Sequence, residues 1–366
     1  MTPHLETVYW VVMSSIFSSK SANAIEKEIE QYFEHALVQS REIGSSYERL
    51  WTSLYELMKS GGKRFRPNIT MLAYEIFGGV KPEAMIPIAA AQELLHFSLL
   101  IHDDIIDRDY VRHGVPNIAG RYTSFYQKHL SNEADLIHFS DSAAMLGGDL
   151  MLGGAHELIS KSQAAPTQKQ MAHALLARGL FDVTGGELLD TELSFLPSMP
   201  GDALKIALYK TARYSFVTPL LTGAKLAHIK QEQETHLQDY AEAIGIAYQL
   251  VDDLLGVFGD EDITGKSVLG DIREGKQTFL IEKSMEGMST EDKILFNQAF
   301  ASHHATREAI HQVKELLIAS GGKRKTEETI ANYQNRALAA ASKLNLDEVS
   351  EDKLIQLASI VLDRKA

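Results

Sequence analysis

The chain has 366 residues and a formal net charge of −13; it is 45% hydrophobic, 23% charged and free of cysteine. The acidic balance argues against nucleic acid as a partner, since phosphate backbones are gripped by basic faces. Without cysteine there are no disulfides, thiolate zinc sites or cysteine nucleophiles, which fits a cytoplasmic protein.

The composition is globular and no Pro/Gly/Ser-rich linker divides the chain, so one domain over residues 21–366 is expected, preceded by a short N-terminal segment, 1–20. In that segment residues 8–17 are mostly apolar. They fall short of the roughly 20 residues a transmembrane helix needs, and no basic stretch precedes them. A docking helix or a frayed start is the simpler reading. Turn residues then concentrate at 61–67, where Gly61-Gly62-Lys63-Arg64-Phe65-Arg66-Pro67 forms a basic loop. Taken alone it could be a surface turn.

Residues 86–101 form an apolar run too long for a strand and apolar on nearly every face, which predicts a deeply buried helix. Further helices are expected over roughly 140–160, 171–189, 202–226 and 236–258. Loops are expected at 112–120, 163–169, 195–201, 259–278 and 320–325. No alternating run with an Asn-Gly or Asp-Gly turn marks a hairpin. The fold class is therefore all-α, an antiparallel helix bundle. A second Gly-Gly-Lys-Arg at 321–324 leads into a charged stretch and reads as a helix C-cap with solvated basic residues.

The buried helix ends in His102-Asp103-Asp104-Ile105-Ile106-Asp107. At 100° per residue, Asp103, Asp107 and Asp104 fall at about 0°, 40° and 100°, on one face. Three carboxylates this close repel one another, and a hard divalent cation removes the penalty; oxygen ligands select magnesium over zinc. His96 lies on the same face two turns earlier. The counterpart is at 248–260, where Gln249, Asp252 and Asp253 share a helix face, joined by Asp260 if the helix passes Gly256 and Gly259. Two such acidic helix faces could clamp a magnesium-bound diphosphate.

These segments, from about 61 to 278, resemble the trans-isoprenyl diphosphate synthase (polyprenyl synthetase) family. Asp103, Asp104 and Asp107 are similar to its first aspartate-rich motif, and Asp252 and Asp253 to the start of the second. The loop at 61–67 matches its Gly-Gly-Lys-Arg-x-Arg-Pro element. The resemblance implies an isoprenoid-synthase bundle around a deep central cavity, acting as a homodimer. It implies that Lys63, Arg66, His96 and His113 hold isopentenyl diphosphate. Arg112, Lys210, Thr211, Gln249, Lys266 and Lys276 would attend the allylic diphosphate. Metal would bind at Asp103, Asp104, Asp107, Asp252, Asp253 and Asp260, with three magnesium ions per site. Arg112, Lys210, Gln249 and Lys266, with the aspartates of both motifs, would form the catalytic set.

Three departures stand out. His113 replaces the second Arg of Arg-Arg-Gly, Glu187 replaces Gln in a Gly-Gln-x-x-Asp element ending at Asp190, and Gly256 occupies the place of a third aspartate. Histidine is a pH-dependent cation, so isopentenyl diphosphate binding should weaken as pH rises through the pKa of His113. The resemblance implies ionisation, condensation and elimination, with product length set near Ser98 and Leu99, one turn before Asp103. Neither is aromatic, so geranylgeranyl diphosphate is the expected product, with farnesyl or longer diphosphates as the alternatives. Rival readings are a terpene cyclase of the same fold, a metal phosphohydrolase using His102 and Asp103, and a non-catalytic subunit of a heteromeric synthase. The basic loop, the spacing of the histidines and the intact first triad weigh against these in turn.

Overall fold

The computed structural model describes residues 16–193, 195–196, 199–259, 272, 275–302 and 306–362. Their contacts divide the chain into two compact units. One comprises Phe17–Leu176 with Thr222–Ala227; the other comprises Ala177–Leu221 and the described residues from His228 onward.

The first unit opens with α1 (Ser19–Ile43), capped by Ser18, whose side chain accepts from the backbone N–H of Ser21. Ile25, Ile29, Phe33, Ala36 and Ser40 form its buried stripe, at the spacing of a helix with one core-facing side. Phe33 stacks on Tyr55 of α2 (Ser45–Lys59), ring centroids 5.2 Å apart, and meets Trp51 edge-on. After α3 (Phe65–Ile76) comes α4 (Pro82–Ile106), the central helix. It is long and apolar enough to cross a membrane, but 78% of its most apolar window is buried inside the protein, as in a core helix. Leu94 is fully buried there, and truncating such a side chain to Ala costs about 3 kcal/mol. The unit continues through β1 (Val111–Arg112), β2 (Val115–Pro116), α5 (Ile118–Tyr126), α6 (Glu133–Lys161) and the start of α7 (Pro166–Leu193). α4 packs along α6, whose glycines make the approach possible. A Cβ on Gly148 would sit 2.1 Å from the His102 ring, and one on Gly154 2.1 Å from the Tyr32 hydroxyl.

The second unit takes the rest of α7, then α8 (Asp202–Ile206), a π-helical segment (Ala207–Val217) and most of the residues leading into α9 (Thr218–Leu226), whose C-terminal part belongs to the first unit. α10 (Gln231–Phe258) packs on the π segment and on α14 (Gly322–Ser342). Tyr240 of α10, fully buried, donates its hydroxyl to the Leu354 carbonyl of α15 (Glu348–Leu362) at 2.6 Å. A separate core gathers Leu280 and Ile281 of α11 (Phe279–Gly287), Phe296 of α12 (Thr290–Ala299) and Ile310 and Leu317 of α13 (Arg307–Ala319).

The expected helices all form, and helix takes over parts of the expected loops. α3 already includes Phe65, Arg66 and Pro67, and α7 starts on Pro166. Proline is tolerated in a first turn, where the backbone N–H has no intrahelical partner. The region 112–120 contains a hairpin, against expectation. Its turn is His113-Gly114 with φ of 54° and 75°, the left-handed pair that suits the strand twist. The second Gly-Gly-Lys-Arg differs from expectation: Ser320 is the C-cap of α13, while Gly321, at φ 78°, is the N-cap of α14, so Lys323, Arg324 and Lys325 lie in the first turns of that helix, where they pair with Glu327, Glu328 and Glu286.

Candidate active site

In the first unit, α4 delivers the three aspartates of the first cluster. Asp107 caps the helix, its N–H bonding to the Asp103 carbonyl at 2.8 Å, and Asp109 N–H bonds to the Asp104 carbonyl at 2.8 Å. The hairpin then folds Arg112 back onto the cluster. Arg112 donates from Nε to Asp104 Oδ1 at 2.7 Å and from Nη2 to Asp103 Oδ2 at 3.1 Å, with Nη2 also 2.5 Å from Asp104 Oδ1. Asp104 is only 3% exposed. Burial pushes its carboxyl up, against the opposing pull of Arg112. For Arg112, burial works to lower the pKa, but the bonds and charges of Asp104 and Asp103 outweigh it and hold it above its ordinary value.

Asn117, fully buried, fixes the hairpin. Its side chain donates to the Asp109 carbonyl at 2.7 Å and caps α5 by accepting from Gly120 N–H at 2.9 Å. His102 is turned towards α6, its Nε2 3.8 Å from Asp149 Oδ1. Its ring fills the gap at Gly148, and Nε2 lies 3.3 Å from the Met145 carbonyl, which can only accept, so Nε2 is the donor.

The basic loop lies in the same unit. Arg64 takes a left-handed conformation, φ 46°, at the N-cap of α3 and is buried. It pairs with Glu26 at 2.8 Å and with buried Glu93 at 3.2 Å, and donates to the carbonyls of Gly61 and Met58. Arg64 thus anchors the loop, and the flanking Lys63 and Arg66 remain the candidates for anion binding. His113 closes against the loop: a Cβ on Gly61 would stand 2.9 Å from its imidazole. His96, three residues beyond Glu93 on α4, lies well below the ordinary imidazole range. Desolvation is the main cause, followed by the positive charges of Arg66, Arg112, His113 and Arg64. His96 is neutral at neutral pH and sits in a positive field. On the same helix Ser98 is 2% exposed and Leu99 is half-buried.

In the second unit, Lys210 and Thr211 sit on the π segment. π-helical turns recur at functional sites because they re-aim side chains. Lys210 Nζ donates to Glu187 Oε1 at 3.0 Å and to Asp190 Oδ2 at 2.5 Å, both on α7. Thr211 Oγ1 donates to Gln249 Oε1 at 2.6 Å, and Gln249 Nε2 donates to Asp253 Oδ1 at 2.8 Å. Asp253 is buried and Asp252 partly so, three to four residues along α10 from Gln249. Helix α10 runs through Gly256 and ends at Gly259. Asp260 and Lys266 lie outside the described residues; Lys276 is exposed ahead of α11. Glycine permits the close packing that carries Lys210 and Thr211. A Cβ on Gly186 would come within 2.2 Å of the Lys210 backbone nitrogen, and one on Gly245 within 2.5 Å of Ala212 Cα.

Among the described residues no three carboxylate or imidazole groups form a ready-made metal cage. Magnesium is held differently, by one or two carboxylates together with substrate phosphates and water. The all-oxygen sets at Asp103, Asp104 and Asp107 and at Asp252 and Asp253 fit that chemistry.

Of the residues named from the sequence, the structure brings Asp103, Asp104 and Arg112 together in the first unit, and Thr211, Gln249 and Asp253 in the second. Sequence reasoning missed the anchoring role of Arg64, the cap at Asn117 and the pairing of Glu187 with Lys210. A Gly-Gly pair before Arg64 and an Asn ahead of a new helix are the only local signals for the first two.

The chain is 29% identical over 296 residues to a geranylgeranyl diphosphate synthase of Sulfolobus acidocaldarius, covering 79% of this chain and 84% of that one. It is 29% identical over 323 residues to a geranylfarnesyl diphosphate synthase of Aeropyrum pernix, covering 87% and 95%. The fold matches the crystal structure of a geranylgeranyl pyrophosphate synthase from Corynebacterium glutamicum complexed with isoprenyl diphosphate and magnesium, at 28% identity and a TM-score of 0.87, over 94% of this chain and 99% of that one. Residues 48–317 match the polyprenyl synthetase family model, and the chain belongs to that family.

Proposed function

We propose that this protein is a head-to-tail prenyltransferase that joins isopentenyl diphosphate to an allylic diphosphate, with geranylgeranyl diphosphate as its main product. The observation that carries the reading is Arg112 folded onto Asp103 and Asp104 beside a basic loop and a neutral His96. Magnesium, three ions per site, would be held by Asp103, Asp104, Asp107, Asp252, Asp253 and Asp260, and when bound would neutralise the leaving diphosphate. Lys63, Arg66, His96 and His113 hold isopentenyl diphosphate. Arginine supplies a bidentate fork, lysine a point charge, and neutral His96 a hydrogen bond. Arg112, Lys210 and Lys266 place positive charge where the departing diphosphate gathers negative charge, while Thr211, Gln249 and Lys276 orient it. The new bond forms between the allylic carbon and the isopentenyl double bond, and the proton then lost goes to the departing diphosphate. The apolar helices must exclude water, which would trap the allylic cation.

Residues 21–366 act as one catalytic domain, a reading supported by a family match that takes residues from both units. Exposed Met145 and Leu146 on α6 support a homodimer, and a cysteine-free chain supports a cytoplasmic location. Incubation with isopentenyl diphosphate, magnesium and each allylic primer, followed by product chromatography, tests the proposal. Elongated diphosphates that disappear on chelation are expected. Cyclic hydrocarbons would indicate a cyclase, inorganic phosphate alone a hydrolase, and turnover only with a second chain a subunit role.

A further inference from the structure

Three residues beyond Lys210, outside every contact assigned above, Arg213 links three elements. Its Nη2 lies 2.9 Å from Glu242 Oε1 on α10, and its Nη1 lies 3.6 Å from Asp182 Oδ2 on α7. Asp182 is buried and is held in turn by Arg178, at 3.0 Å to Oδ2 and 2.8 Å to Oδ1. Glu242 also accepts from Gln238 at 3.0 Å, and the Arg213 guanidinium stands 5.1 Å from the Tyr209 ring centre. The arrangement is a four-member charge chain, Arg178–Asp182–Arg213–Glu242, with Gln238 bonded to its last member.

Its place on the helices gives it a consequence. Asp182, Gly186 and Asp190 recur every four residues along one face of α7. Asp182 grips Arg213, Gly186 admits the Lys210 backbone, and Asp190 grips Lys210. On α10, Glu242, Gly245 and Gln249 do the same for Arg213, Ala212 and Thr211. The π segment is therefore pinned twice on each side. A π turn is an unfavourable geometry that persists only where its surroundings over-determine it.

Resting on the prenyltransferase reading, we propose that Arg213 is a positioning residue for the allylic-diphosphate half of the site: it clamps the π segment between α7 and α10 so that Lys210 and Thr211 present their side chains together. Arg213 itself need not touch substrate.

The test compares Arg213→Gln, Arg213→Lys and Glu242→Gln by steady-state kinetics, by thermal melting and by calorimetric titration with geranyl diphosphate. Arg213→Gln should raise the allylic KM and the geranyl diphosphate Kd about 10-fold while the isopentenyl KM stays within about 2-fold. Arg213→Lys should recover part of the loss. Glu242→Gln should shift the allylic terms in the same direction, and adding it to Arg213→Gln should cost less than the sum of the two. A folded Arg213→Gln with unchanged geranyl diphosphate affinity would overturn the proposal, as would equal changes in both KM values. If Arg213→Gln does not fold, Glu242→Gln alone decides, by the same two readouts. A wild-type protein that binds geranyl diphosphate but never elongates it would defeat the prenyltransferase reading, and the titrations would still judge the clamp.

Discussion

The Arg112 guanidinium lies against the Asp104 carboxylate at 2.7 Å through Nε, and Asp104 is almost completely buried. Arg112 pairs with two of the cluster's three aspartates, so its removal leaves buried Asp104 without a neutralising cation and with only the neutral Asn117 side chain bonded to it. Arg112→Met should lower stability by about 3 kcal/mol, the low end for breaking a buried pair. Adding Asp104→Asn should recover most of the melting temperature without recovering turnover. A double variant no more stable than the single would show that the pair does not account for the loss.

His96 gives the fold a pH dependence of definite sign. Its folded-state pKa lies well below the ordinary 6.5, chiefly through desolvation and then through Arg66, Arg112, His113 and Arg64. Below pH 6.5 the unfolded chain takes up a proton that the folded chain refuses, so stability falls as pH drops through that window and is fully present above it. His96→Gln should flatten the difference between melting temperatures at pH 5.5 and 7.5. An unchanged difference would mean that other groups set the acid limb.

The candidate site was legible where the signal is local. Asp103, Asp104 and Asp107 declare themselves by helical spacing, and α4 by an apolar run too long for a strand. What stayed hidden depends on partners distant in sequence. Arg64 reads as one more cation of a basic loop until Glu26 and Glu93 close on it. The π geometry has no periodic signature, and the contacts that accompany it, at Gly186 and Gly245, join segments distant in the chain. The hairpin escaped because His113-Gly114 fills a turn more often made by Asn-Gly or Asp-Gly.

The contact between Gly61 and His113 makes a selective probe. In Gly61→Ala the new methyl meets the imidazole at 2.9 Å, tighter than carbon contacts allow, so the ring must shift. The isopentenyl diphosphate KM should rise about 10-fold, with the allylic KM little changed, as expected when one ground-state contact is lost. Equal effects on both substrates would point to general damage to the loop.

Glu187 gives the opposite kind of prediction, a gain. Lys210 is shared by Glu187 and Asp190, at 3.0 and 2.5 Å, so two carboxylates compete with any incoming diphosphate for one ammonium. Glu187→Gln keeps the shape and a hydrogen-bond acceptor but removes one negative charge. The allylic KM should fall about 3-fold, consistent with relief of less than 1 kcal/mol from a partly exposed pair. A raised KM would show that Glu187 helps to aim Lys210.

Product length is best tested at Leu99. Ser98 is 2% exposed, so a phenylalanine there has no space and would overpack the core, at a typical cost of about 1–3 kcal/mol. Its effect on products would be confounded with damage to α4. Leu99, half-buried one turn before Asp103, can take the larger ring at lower cost. If a growing chain passes this turn, Leu99→Phe should shift the product distribution towards farnesyl diphosphate, with the melting temperature held within a few degrees. Chromatography of the dephosphorylated products reads the shift directly, and an unaltered distribution in a folded variant would place the floor of the tunnel elsewhere.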